Sequence, residues 1–196
     1  MIIIKIKLKL RRLISYLLAG VLVGGVAYAA ISNKIFMKGT SFSTSTVQLK
    51  FLKNLSQDLS TANLTSELIG ISFEGILNGW QQDYPVKITN TSTKNMNVWT
   101  YANYQTDQDP ASLRYSLYVE LLPWNDLNND GVVDSGEEGA SLGKKSFVKW
   151  KTEGFDLGSL EGNKAYGYIL RFSSLDITDA KQGASGIFDF EFGVLQ

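Results

Sequence analysis

Phe188, Phe190, Phe192 and Val194 fall at every second position of GIFDFEFGV, with Asp189 and Glu191 between them. Successive side chains of an extended strand point to opposite faces. The spacing therefore predicts a strand with one apolar face and one polar face, and it sets Asp189 and Glu191 on a solvated face. The same period of two recurs in YPVKITNTS through Tyr84, Val86 and Ile88, and in YSLYVELLPW through Tyr115, Leu117, Val119 and Leu121. In AYGYILRF it runs through Tyr166, Tyr168, Leu170 and Phe172. MNVWTYANY sets Met96, Val98 and Thr100 against Trp99 and Tyr101.

Strands of this kind, bounded by Gly, Asn, Asp and Ser turns, predict an all-β antiparallel sandwich with short helices in its connections. One short helix or two are expected over 52–69, where Leu52, Leu55, Leu59, Leu64 and Leu68 approximate helical spacing. KSFVKW reads as a short strand. The aromatics read as core. Trp80, Trp99, Trp124 and Trp150 could line a carbohydrate platform, but no spacing places them on one face.

The N-terminus has a different character. MIIIKIKLKLRR is basic, LISYLLAGVLVGGVAYAAI carries no charge, and Ala27-Tyr28-Ala29 forms a small-x-small exit. Residues 1–29 are thus expected to be a signal helix cleaved after Ala29, with a retained membrane anchor as the alternative. The domain would be residues 30–196, exported in either case. Taking the five basic residues of 1–29 from the total of 19 leaves 14 against 19 acidic ones, a net of −5. A mildly acidic domain is a poor partner for nucleic acid. The sequons at Asn54, Asn63 and Asn90 matter only in a host that glycosylates exported proteins.

The chain has no Cys and no His. Disulfides, thiolate zinc sites, Ser-His-Asp triads and H-E-x-x-H sites are excluded with them. Asp189 and Glu191 are the nearest approach to a carboxylate pair, and no catalytic residue is assigned. The chain is not expected to be an enzyme.

One loop carries chemistry. DLNNDGVVDSGEE, residues 126–138, holds five carboxylates and two amides and no basic residue. Counted from Asp126, it meets D-x-[DN]-x-[DN]-G-x₅-E at every specified place. Asp126, Asn128, Asp130, Asp134 and Glu137 supply side-chain oxygens, and Val132 supplies its backbone carbonyl. Gly131 makes the sharp turn, and Val133 is expected to pack inward as the anchor. Alternate oxygens in a tight loop suit Ca²⁺, a hard cation that takes six to eight such ligands. The flanks lack helices, so this is a calcium loop set between strands that would staple the fold.

Several segments, in order, resemble the TasA/CalY (camelysin-like) family of secreted matrix proteins. GVLVGGVAYAAISN followed by KGTSFSTSTVQLKF resembles that family's start, and YPVKITNTSTKNMNVWTYANY its next strand pair. YVELLPW, LGSLEGNKAYGYILRF and QGASGIFDFEFGVLQ resemble its later strands and its close. The family's L-x-P-G-D turn is replaced here by GILNGWQQD. The resemblance implies a jelly-roll-like sandwich that polymerises into extracellular biofilm-matrix or surface fibres by donating an N-terminal strand to its neighbour. Residues 30–52 form the expected donor, with Ile35, Phe36, Phe42, Val47, Leu49 and Phe51 filling the groove. The expected partners are further copies of the chain, other matrix proteins, and signal peptidase during export. The family also carries a metalloprotease label, which nothing in these residues supports. The competing reading is a monomeric, calcium-stapled binding module of the cell surface.

Overall fold

The computed structural model describes residues 34–37 and 49–194. The segment 1–29 with its cleavage point, and donor residues Phe42 and Val47, lie outside the described residues. Among those described, no helix is long and apolar enough to cross a membrane.

Among the described residues, eleven strands form two sheets. They are β1 (Lys34–Met37), β2 (Leu49–Leu52), β3 (Leu64–Thr65), β4 (Glu67–Leu68), β5 (Gln81–Asn90) and β6 (Met96–Asn103), then β7 (Leu117–Trp124), β8 (Lys144–Ser146), β9 (Phe155–Leu160), β10 (Lys164–Ser174) and β11 (Asp189–Val194). One sheet runs β4-β1-β11-β6-β9 and the other β3-β2-β5-β10-β7-β8. Every pairing is antiparallel except that of β1 with β4. From β5 to β11 the chain changes sheet at almost every connection, as a jelly roll does. This is the all-β sandwich that the alternation predicts.

The inward faces meet in one core. Phe51 of β2 and Phe192 of β11 bring the two sheets together edge to face, with ring centroids 5.3 Å apart. Val86, Ile88, Val98, Leu121 and Leu170 are fully buried around them. Such burial of apolar area is the main favourable term in folding. YSLYVELLPW departs at its start: Tyr115 belongs to a 3₁₀ turn and is exposed, and the strand begins at Leu117.

Two expectations from periodicity are corrected. KSFVKW is a strand only through Ser146, after which α1 (Phe147–Glu153) begins. The Ser146 hydroxyl accepts from the Lys149 N–H, the ordinary helix N-cap. The helix then sets Phe147 and Trp150, three residues apart, on its core-facing side. Trp150 stacks on Phe190 at 4.6 Å and donates its indole N–H to the Thr100 carbonyl. Over 52–69 the only helical turn is the 3₁₀ segment Thr61–Asn63. Polar side chains there compete for the backbone. Asn54 Oδ1 accepts from Ser56 N, Asp58 Oδ1 from Ser60 N, and Asn63 Nδ2 donates to the carbonyls of Asn54 and Asp58. Asn63 and Asn90 are buried in such roles, which leaves Asn54 as the exposed member of the three sequons.

A third correction concerns β11. Glu191 is buried, not solvated, and stands opposite Phe36 of β1 and Tyr101 of β6. Asn103 Nδ2 lies 3.4 Å from its carboxylate.

Candidate functional site

The acidic loop follows β7 and folds back over the outer face of the β10–β7 pair. Leu122, Trp124 and Ile169 form a small second cluster on that face, and Leu55 and Val133 cover it. Val133 therefore packs inward as expected. The loop is closed at its base by backbone bonds from Asn125 N to Glu137 O and from Gly139 N to Pro123 O.

Gly131 is required on two counts. Its φ of +78° is one that L side chains rarely adopt, and a Cβ would lie 2.8 Å from Ser56 N. The turn at 55–56 and the loop thus pack backbone to backbone.

Asp126, the first position, has a nearly inaccessible side chain. Its Oδ2 accepts from Lys87 Nζ at 2.7 Å and from Gly131 N, and its Oδ1 accepts from Asp130 N. Burial raises this carboxyl's pKa. The Lys87 ammonium and the Gly131 N–H outweigh that, and the net shift is downward. Lys87 also donates to the Leu55 carbonyl and sits 5.0 Å over the Trp124 ring.

Positions three, five and nine converge: Asn128 Nδ2 donates to Asp130 Oδ2 at 2.9 Å and to Asp134 Oδ2 at 3.0 Å. Glu137, the twelfth position, is buried. Its Oε2 accepts from Trp124 Nε1 and Asp134 N, and its Oε1 accepts from Leu127 N. The indole N–H is the largest influence holding its pKa below the ordinary carboxylate value. Neighbouring Glu138 lies outside the set and pairs with Arg171, which also forks onto Asp83.

The donors are four carboxylates, one amide and one carbonyl, an all-oxygen set that fits a hard cation and not catalytic zinc. Among the described residues, no three acidic side chains already stand together as a metal-ligand cluster. The carboxylates instead gather around N–H donors, with Lys87 as the cation nearest Asp126. A calcium ion would be held by Asp126, Asn128, Asp130, the Val132 carbonyl, Asp134 and Glu137.

The remaining expected site residues divide by placement. Ile35 and Phe36 belong to β1, opposite Phe192 and Glu191 of the same chain. Leu49 and Phe51 are fully buried in the chain's own core, on a strand paired with β5. The four tryptophans form no platform: Trp150 is in the main core, Trp124 in the second cluster, Trp80 against Phe73, and Trp99 beside Tyr101.

Lys87 and Leu55 went unforeseen as loop partners. Lys87 reads in sequence as one polar position of an alternating strand, and nothing local points it at a loop 39 residues away. The cavity between residues 69–73 and 184–190 also has no local signature. No protein-family model matches this chain, and a search of curated proteins finds no match either.

Proposed function

We propose that the chain is an exported structural subunit that polymerises into extracellular matrix or surface fibres by exchange of its N-terminal strand. The observation that carries this reading is the position of β1. Four residues long, it lies between β11 and β4 and completes the sheet. If β1 leaves, the β11 edge is open, with its row of unpaired backbone groups. A neighbour's strand can then take that place by β-augmentation. Ile35 and Phe36 are the donor residues in this lane. Leu49 and Phe51 serve the chain's own core.

The second element of the proposal is the loop at 126–137 as a calcium staple. Bound only by the folded chain, calcium would stabilise it by mass action. Export follows from the basic and then apolar N-terminus, which signal peptidase would remove.

Trp99 and Tyr101 favour a second reading. Their rings lie 6.4 Å apart and within 18° of parallel, on the β6 residues that alternate with the buried Val98, Thr100 and Ala102. A monomeric surface-binding module could use that pair.

Negative-stain electron microscopy of residues 30–196, with calcium and with a chelator, separates the readings. Ordered fibres in calcium are expected. Monomers under both conditions would sink the fibre reading and leave the binding module.

A further inference from the structure

The lane that holds β1 continues past it. β1 ends at Met37, whose register partners are Phe190 in β11 and Leu68 in β4. Beyond that point the walls run on as residues 69–73 and 184–189. Between them lies a cavity of about 450 Å³. Phe73, Trp80, Phe147 and Phe172 line it, and Ile69 (87% exposed) and Ile187 (61% exposed) stand among its walls. Volume and lining are those of a binding site. Among the described residues, no backbone hydrogen bond joins residues 70–76 to another segment. The other wall is tethered, with Ile187 N bonded to Gln108 O.

We propose that this cavity receives the β1 strand of a second copy of the chain, seated four residues deeper than the chain's own β1. The inference rests on the structural-subunit reading and adds where the exchanged strand goes and why it outcompetes the resident one. An even slide keeps every residue on its original face. In the deeper register Ile31 takes the place opposite Phe192 that the chain's own Ile35 now holds, and Ile35 comes opposite Phe188, beside the cavity. The chain's own sequence after Met37 reads Lys38-Gly39-Thr40-Ser41, four residues without a large apolar side chain. Its own β1 is also tied to Leu49, in the other sheet, by eleven residues, whereas a second copy's strand carries no such tether. Charge agrees: in the deeper register Lys34 comes opposite Asp189, which lines the cavity.

The physical need for a deeper seat is clear. An internal strand has a large effective concentration, and a second copy loses translational freedom on binding. Exchange at the same register gains nothing to offset that. Ile35 and Phe36 seated beside the cavity bring apolar contact to offset that loss.

The chain's lack of cysteine makes register directly readable. One copy carrying Phe36→Cys is mixed with one carrying Ile187→Cys, positions that face each other only in the deeper register. A disulfide between the two copies under mild oxidation is expected. A parallel mixture with Glu191→Cys reports the resident register. Fibres that cross-link between copies only through Glu191→Cys overturn the inference and leave the fibre reading standing. If no fibres form, a synthetic peptide of residues 30–38 is titrated onto the full-length chain. Binding is read as the fluorescence lost in a Trp80→Phe control. Saturable binding, weakened about tenfold or more by Ile187→Asp, upholds the cavity as a strand site even as the fibre reading fails. No binding overturns it.

Discussion

Lys87 Nζ lies 2.7 Å from Asp126 Oδ2, and this contact joins a strand inside the sheet to the first residue of the acidic loop. Both side chains are largely buried, at 12% and 2% exposure. Removing one partner of such a pair leaves a buried charge uncompensated, at a cost of about 3 kcal/mol. Lys87→Met should therefore lower the unfolding free energy, read by urea denaturation in chelator, by that amount. Calcium should restore part of the loss, because a bound cation replaces the missing ammonium. Equal losses with and without calcium would argue against a cation site at Asp126.

Gly131→Ala tests the loop's backbone. The substitution meets both a positive φ and the Ser56 backbone at 2.8 Å. A loss of roughly 1–3 kcal/mol is expected, the usual cost of a strained backbone position. Thermal unfolding is the measurement. Gly136→Ala, with a positive φ but open space around it, should cost less.

Acid should release the loop before the core. The carboxyls of Asp126 and Glu137 both have folded pKa values below their ordinary ones. Such groups bind protons less readily folded than unfolded. Their contribution is complete above the unfolded carboxylate range and is lost as pH falls through the folded values. Stability should be flat from about pH 7 to pH 5 and should fall below about pH 4. Trp124 fluorescence is a local reporter, since its indole N–H bonds Glu137. A fall in stability beginning near neutrality would contradict the assignment.

Phe51→Ala separates a core role from a donor role. Phe51 is fully buried and packs edge to face on Phe192. Truncating a buried Phe costs about 3–5 kcal/mol. The variant should lose that stability as a monomer, in chemical denaturation at dilutions where no assembly occurs. Unchanged monomer stability together with lost assembly would return Phe51 to the donor strand.

Local periodicity made the strands legible wherever one face meets the core and the other meets solvent. β6 and β11 follow that rule at Val98, Thr100, Phe190 and Phe192. It fails at Ile169, which falls on the polar register of AYGYILRF and yet is fully buried. The acidic loop and the turn at Leu55 cover that face, so β10 is packed on both sides. It fails again at Glu191, which spacing sets on a solvated face and which is buried. It also misreads residues 147–153, where Ser146 caps a helix and the apolar pair is spaced by three.

The acidic loop shows the same division. Its ligand order, its turning glycine and its inward valine are properties of thirteen consecutive residues. They depend on local backbone geometry, which neighbouring side chains dictate. Lys87, Trp124 and Leu55 come to that loop from three other segments, and only the pairing of strands and the packing of turns brings them there. The sequence alone therefore determined strand character, the all-β class and the loop's donor set, because each rests on short-range sterics and period. The tertiary structure decided which cation faces Asp126, which carboxylates are buried and where the β1 lane opens into a cavity. Those depend on contacts between residues distant in the chain, which no local pattern encodes.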